Sequence, residues 1–313
     1  MKRRKWKSLL LAAVLITNMS VMSQFEEKSV FASFSVAGSC GELLWAFESE
    51  GTLTIRGDGV MDDYDAFSKP PWDKYMHLIK KVIIRDYVER IGSNSFNGAV
   101  SLTSVEILDG IDAIGDYVFA DCARLEKIDL PESVSDIGEG TFKGCSSLKS
   151  IEIPKNIKII SSNLFEGCSA LESIVMSNVE TIDKKAFYGC SSLEKINIPK
   201  TVNKIYDAAF EGCSSLKNIV IPDKVTSISN DLFRGCSSLE ELNLHDNVQQ
   251  IGSKVIFGCK KIKEVSIPAQ TVEIDDDAFD GSFLSSVTVD KKNMEYENVG
   301  SVLFNKGVTK LIY

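Results

Sequence analysis

The sequence predicts an α/β solenoid, a stack of near-identical units that each contribute one short strand and one short helical turn. Three observations carry this prediction. A unit of 23 residues, once 22, recurs along most of the chain. Each unit opens on the pattern Leu-x-x-Ile-x-Ile and closes on Phe-x-Gly-Cys, as in residues 145–168. The repeat also runs without interruption over residues 79–289, giving nine to ten units of 22–23 residues.

The first half of each unit predicts a β-strand. Its last two apolar positions alternate with polar ones, as in Leu125, Ile128 and Leu130, which is the pattern of a half-buried strand. A proline follows at Pro131, Pro154, Pro199, Pro222 and Pro268 and ends the pairing, because proline has no N–H to donate. Stacked strands of this length predict one parallel sheet.

The second half of each unit predicts a compact helical turn that ends on a glycine in left-handed geometry. Asp121 replaces this glycine once, and aspartate is among the few residues that tolerate the conformation. One phenylalanine per unit is predicted to fill the interior, and Ile256 takes this slot in one unit. The column comprises Phe96, Phe119, Phe142, Phe165, Phe187, Phe210, Phe233 and Phe279. Tight turns opposite a sheet predict a curved, right-handed superhelix with the parallel sheet on its concave face.

Seven of the eight cysteines share one slot of the repeat: Cys122, Cys145, Cys168, Cys190, Cys213, Cys236 and Cys259. Ala99 and Ser282 occupy the same slot, which favours a small buried residue and therefore free thiols. Disulfides between neighbouring units remain the alternative, since stacking brings alpha carbons near bonding range. Zinc binding is disfavoured, because this spacing supplies no local Cys/His pairs.

The two ends of the chain differ from the repeat. In residues 1–32, five basic residues precede an apolar stretch and Val30-Phe31-Ala32 follows it, which predicts a secretory signal peptide. Residues 33–78 are predicted to form an N-terminal cap with a β-hairpin, and residues 290–313 a C-terminal hairpin. Removal of residues 1–32 leaves 29 basic and 42 acidic side chains, a net charge of −13. Such a protein is expected to repel nucleic acid and anionic membranes and to insert into no membrane after cleavage.

These motifs resemble the leucine-rich repeat of BspA-like bacterial surface and secreted proteins, in which Phe-x-Gly-Cys replaces the usual asparagine ladder. The resemblance covers roughly residues 79–289. Residues 40–59 are similar to that family's N-terminal cap, and residues 300–313 to its C-terminal hairpin segment. The resemblance implies a leucine-rich-repeat fold and adhesion to extracellular matrix or to other cells.

Signatures of catalysis are sparse. His77 and His245 have no serine or cysteine nucleophile in a distinctive motif beside them, so the sequence predicts no hydrolase and, more broadly, no enzyme. No cofactor or metal is predicted, because phosphate loops, dinucleotide fingerprints and calcium loops are lacking in the sequence. Arg56-Gly57-Asp58 spells a tripeptide that integrins read in other proteins, but turn preference for glycine and aspartate explains it better.

The candidate site is therefore a surface, formed by side chains that point outward from the predicted strands. They are Lys127, Asp129, Ser150, Glu152, Lys195, Asn197, Asn218, Glu241, Asn243 and Glu264. We expect this face to bind an extracellular protein or a cell-surface ligand, in a protein that is either released or associated with the cell surface after secretion. Two alternatives remain open: a structural envelope protein without a specific ligand, and a carbohydrate-binding accessory module. For any single residue, simple solubility is the simplest interpretation.

Overall fold

A computed structural model describes residues 34–85, 87–307 and 310–311. The predicted signal peptide, residues 1–32, lies outside these described residues. The described chain forms a β-solenoid in which each repeat is one rung, and its apolar side chains share one interior. The predicted stack of repeated units is therefore the observed architecture, with the differences described below.

The N-terminal part is an antiparallel meander of β1 (Phe34–Cys40), β2 (Leu43–Glu48) and β3 (Thr52–Arg56). Strand β3 then pairs in parallel with the first repeat strand, so the meander and the repeats share one sheet. A 3₁₀ helix, Asp73–Leu78, follows. From it the Trp72 side chain enters the interior, fully buried, and stacks on Phe96 at 5.7 Å between ring centroids.

The repeat strands form a first ladder on one side of the stack. Pairing is parallel and in register, as in Ile151 opposite Ile174, so each buried isoleucine lies on its counterpart in the next rung. The strands are β5 (Lys81–Ile84), β7 (Ser104–Ile107), β9 (Lys127–Ile128), β11 (Ser150–Glu152), β13 (Ser173–Val175), β18 (Glu264–Ile267) and β20 (Ser286–Val289). Between β13 and β18 only the isolated bridge Lys195–Asn218 remains. The ladder is thus interrupted, whereas the sequence predicted one continuous sheet.

A second parallel ladder, which the sequence analysis did not predict, follows the corner after each repeat strand. Its members are mostly two residues long and end on a buried isoleucine, as in Ile182 and Ile205. They are β4 (Gly59–Val60), β6 (Val88–Ile91), β8 (Ala113–Ile114), β10 (Asp136–Ile137), β12 (Ile159–Ile160), β14 (Thr181–Ile182), β15 (Lys204–Ile205), β16 (Ser227–Ile228), β17 (Gln250–Ile251) and β19 (Glu273–Ile274).

The outer segments are hydrogen-bonded turns and not the helical turns that the sequence predicted. Their backbone N–H groups divide between two kinds of acceptor: carbonyls of the next rung, as in Phe142 N to Leu164 O (3.1 Å), and carbonyls three residues earlier in the chain, as in Cys145 N to Phe142 O (3.1 Å). Among the described residues the 3₁₀ helix at Asp73–Leu78 is the only helix with its own bounds. The bonds to the next rung interrupt the run of bonds along the chain that a helix would need.

The interior is a column of aromatic rings bordered by aliphatic side chains. The eight repeat phenylalanines are at most 1 % exposed. From Phe96 to Phe233, neighbouring ring centroids lie 5.4–6.0 Å apart with planes within 13° of parallel. Ile256, also fully buried, continues the column between Phe233 and Phe279. Such burial of apolar surface is the main stabilising contribution to the fold.

The C-terminal part is an antiparallel hairpin of β21 (Tyr296–Val299) and β22 (Val302–Asn305), with a further bridge from Phe304 to Leu311. The Tyr296 hydroxyl accepts a hydrogen bond from Ile274 N (2.9 Å), which ties the hairpin to the last rung of the second ladder. In the part of the chain that the structure describes, no helix has the length and apolarity to cross a bilayer.

Candidate binding face

The outward side chains of the first ladder form one surface, called here the strand face. Its origin is the two-residue period of a strand: Ile151 is buried at 4 % exposure, whereas its neighbours Ser150 and Glu152 are exposed. The same alternation holds around Ile128, Ile196, Ile219 and Leu242. All ten candidate residues named from the sequence are exposed on this face.

Strand register brings several candidates side by side. Lys127 lies opposite Ser104, Lys195 opposite Asn218, and Glu264 opposite Ser286. In a parallel ladder, equivalent residues of successive rungs lie about 4.8 Å apart. A partner that crosses several rungs therefore meets one side chain per rung in each column of the face.

Charges on the strand face are mostly free to meet a partner. Lys127 and Asp129 form an ion pair of 3.0 Å, but their side chains are 69 % and 81 % exposed, so water weakens the pair. Within the described residues Lys195, Glu241 and Glu264 form no salt bridge. These exposed charged side chains can therefore form ion pairs with a partner of complementary charge.

Among the rungs that sequence reasoning missed is the one that carries Ser173 and Val175, in the middle of the face. Register places them opposite Ser150 and Glu152. This unit departs from the consensus, since Met176-Ser177 replaces the usual Ile-Pro. The 23-residue count from Ser150 to Ser173 would have found it. Val175 is 58 % exposed and Val220, two rungs on, is 79 % exposed, so the face also offers apolar contacts.

The cysteine column supplies no reactive group. All seven repeat cysteines and Cys40 are buried free thiols in the structure. Each repeat thiol donates to the phenylalanine carbonyl of the preceding rung, as Cys145 Sγ does to Phe119 O (3.1 Å). Burial raises the pKa of the Cys145, Cys213 and Cys259 thiols from about 9 to about 12. Because the thiolate is the nucleophile, such cysteines are inert in the folded protein.

The two histidines lie at separate places in the fold and do not form a site together. His77 is exposed after the Asp73–Leu78 helix, and His245 Nδ1 accepts a hydrogen bond from Asn247 N (3.3 Å) at the end of a repeat strand. Over residues 34–85, 87–307 and 310–311, no three His, Cys, Asp or Glu side chains are grouped to hold a metal ion.

The carboxylates before the first repeat take part in turn structure. Burial alone would raise the pKa of Asp63, but hydrogen bonds from Ser93 N and from Arg90 outweigh it and hold that pKa below its usual value. Gly57 has a φ of 137°, and a Cβ there would lie 3.1 Å from the Leu43 side chain. A turn that excludes other residues thus accounts for the glycine of Arg56-Gly57-Asp58.

Known proteins resemble the chain at the level of the repeat. The sequence profile of the BspA type leucine rich repeat region matches residues 74–194 and 180–306, in six copies. No curated protein sequence matches the chain.

Among solved structures, a leucine-rich repeat protein from Bacteroides ovatus ATCC 8483 is similar, with 22% identity, a TM-score of 0.55, and coverage of 80% of this chain and 81% of the other. A leucine rich cell surface protein from Faecalibacterium prausnitzii A2-165 is 20% identical, with a TM-score of 0.40 and coverage of 82% and 95%. The Bacteroides structure supports the fold alone.

Proposed function

The chain belongs to the BspA-type leucine-rich repeat family, and on that premise we propose that it is an exported, non-catalytic binding protein. Its partner in this proposal is a protein of the extracellular matrix or of another cell surface, contacted through the strand face. The observation that carries the proposal is the strand face itself, where exposed charged, amide or valine side chains recur at each rung from Lys127 to Glu264 above a continuous buried core.

The shape of the strand face suits a large partner better than a small molecule. Ten stacked rungs extend over about 45 Å at about 4.8 Å per rung. Small-molecule sites are concave and mostly apolar, whereas this face presents a row of exposed side chains. A rigid row of repeated weak contacts gains strength when a partner engages many of them at once.

A scaffold role agrees with how the reactive residue types are used. The cysteines are buried with raised pKa values and serve as packing residues. Export is supported by the signal-like residues 1–32, and a net charge of −13 after their removal favours solubility outside the cell. Fractionation of the producing cells into medium, wall and membrane tests export directly. Recovery of the intact chain in the cytoplasm alone would contradict it.

The experiment that tests the binding proposal is attachment of the purified mature chain to immobilised matrix proteins and to whole cells. Lys127→Glu combined with Lys195→Glu should weaken attachment about tenfold or more, because reversal of two charges in a contact adds repulsion as well as removing attraction. Lys291→Glu combined with Lys292→Glu is the matched control, since it makes the same change in net charge at exposed residues beyond the last repeat strand.

Equal attachment of both variants would remove the strand face as the binding surface. Attachment of the mature chain to none of the surfaces would instead favour a structural role in the envelope. Retention on a glycan array, with no binding to proteins, would favour the carbohydrate-binding role.

A further inference from the structure

A second surface of the solenoid, distinct from the strand face, divides into an acidic and a basic half. It lies along the second ladder and is called here the charged edge. The acidic half contains Asp58, Glu89, Asp109, Asp112, Glu132 and Asp136. The basic half contains Lys155, Lys158, Lys200, Lys204 and Lys224. All eleven residues are exposed, and their positions recur between the end of the repeat strand and the second-ladder strand of successive rungs.

Parallel register places these residues on one side of the molecule. Ala113 lies opposite Asp136, and Thr181 lies opposite Lys204, so residues just before them also align. In the acidic half, Asp58, Glu89 and Asp109 line a shared recess of about 420 Å³ together with the Tyr87 ring. The halves meet between the rungs of Val134 and Ile157, where Lys155 N donates to Glu132 Oε2 (3.3 Å).

Most of these charges lack a partner of opposite sign within the chain. Among the described residues Lys155, Lys200, Lys204 and Lys224 form no salt bridge, while Lys158 pairs with Glu180 at 3.1 Å. Glu180 and Asp223 lie within the basic half, whose net charge is therefore +3. Among the cations of the acidic rungs, Arg90 is bound by Asp63 at 2.8 Å, while Arg85 is exposed just after the repeat strand.

We propose that the charged edge is a dimer interface, in which the acidic half of one copy of this chain meets the basic half of a second copy. A two-fold axis between the Val134 and Ile157 rungs would exchange the two halves. The rungs of Val60, Val88, Ile111 and Val134 then face, in this order, those of Val225, Val202, Val179 and Ile157 of the second copy. Such an isologous contact satisfies both halves with a single partner.

Charge complementarity favours a second copy over other occupants. A polyanion on the lysines would also approach six carboxylates, and a polycation on the carboxylates would approach five lysines. The net charge of −13 does not prevent association, because at physiological salt the Debye length is about 8 Å and only neighbouring charges interact strongly. Tyr87, Val60 and Ile159, each at least 50 % exposed, add apolar area on the same edge.

The expected dimer is weak and sensitive to salt. The eight rungs that form the charged edge span about 34 Å, which places the contact at the small end of specific interfaces. Its consequence for the protein is a pair of strand faces in one particle, which raises avidity for a repetitive surface.

The test measures molar mass of the mature chain by sedimentation equilibrium at low and high salt, at about 100 µM, where a contact with a Kd of about 10 µM is mostly dimeric. Wild type should be a dimer at low salt and a monomer at high salt. Lys200→Glu with Lys204→Glu, and separately Asp58→Lys with Glu89→Lys on the facing rung and its neighbour, should each weaken dimerisation about tenfold or more. An equimolar mixture of these two variants should recover the dimer, because opposite halves again meet.

The matched control is Lys127→Glu with Lys195→Glu, which changes the net charge equally on the strand face and should leave the dimer intact. A wild-type monomer at every salt concentration overturns the proposal. So does a dimer that survives both reversals, or a mixture that stays monomeric. If a reversed variant loses its circular dichroism, Lys200→Gln with Lys204→Gln serves in its place, and an unchanged dimer then overturns the proposal. The outcome is independent of whether the strand face binds matrix protein.

Discussion

At the scale of single residues, one position at the start of each outer turn has left-handed backbone geometry. Non-glycine residues occupy it in most rungs, with φ between 50° and 57°. They are Asn94, Tyr117, Asn163, Lys185, Ala208, Asp231 and Lys254, and Gly140 takes the position in the remaining rung. For residues other than glycine this geometry costs about 1–2 kcal/mol. Burial of the neighbouring phenylalanine, or of Ile256 in the rung of Lys254, outweighs that cost.

Lys185→Gly should therefore stabilise the protein by about 1 kcal/mol, because glycine adopts a φ of 57° without strain. The matched control is Lys184→Gly, one residue earlier, where φ is not positive and glycine only adds freedom to the unfolded chain. Urea denaturation should show a higher midpoint for the first variant and a lower one for the second. A lower midpoint for both would show that the left-handed position stores no strain.

At the scale of the structural element, the cysteine column couples folding to pH. The pKa of the Cys145, Cys213 and Cys259 thiols is raised from about 9 to about 12, because burial disfavours the thiolate. Below pH 9 these thiols are protonated in both the folded and the unfolded chain, and their contribution is fully present. Between pH 9 and 12 the unfolded chain loses the protons and the folded chain keeps them, so stability falls as pH rises.

We expect the free energy of unfolding to drop by up to about 1.4 kcal/mol per pH unit for each thiol above pH 9. Urea denaturation at pH 8, 9 and 10 measures this slope. Replacement of Cys145, Cys213 and Cys259 by alanine should flatten it, since Ala99 occupies the same slot in the first repeat. An unchanged slope in the triple variant would assign the alkaline effect to other groups.

Elements with a distinctive residue period could be predicted from the sequence, and the others could not. Alternation in Ile151-Glu-Ile153 predicted the first ladder. The glycine that recurs at the end of each turn predicted a left-handed conformation there, and Gly167 has a φ of 74°. The second ladder could not be predicted, because a two-residue strand such as Thr181–Ile182 is too short to show alternation of buried and exposed residues. The prediction of helical turns was wrong, because hydrogen bonds between neighbouring rungs produce no pattern in the local sequence.

At the scale of the whole molecule, the surfaces follow from the same periodicity. Alternation around buried residues such as Ile196 and Leu242 was enough to name strand-face residues as candidates. The charged edge could not be named in advance, because it depends on the register of the second ladder, which joins residues about 23 positions apart. Which ligand the strand face takes depends on affinities that no periodicity encodes.

The solenoid is also nearly one-dimensional, since each rung packs mainly on the rungs before and after it. Deletion of residues 191–213 removes one period and joins Cys190 to Ser214, which restores Cys-Ser-Ser-Leu at the junction. We expect this variant to fold with a continuous phenylalanine column, from Phe187 to Phe233. The slope of its free energy of unfolding against urea concentration should decrease in proportion to the buried surface that is lost.

Deletion of residues 191–201 is the control, because it removes fewer residues but breaks the period. Its junction joins Cys190 to Val202 and removes Leu193 and Ile196 from the interior. This variant should lose cooperative unfolding and become sensitive to protease, since the rungs on either side can no longer align. If the longer deletion were the more damaging of the two, stability would depend on contacts beyond neighbouring rungs, and the description of the fold as a stack of independent units would be wrong.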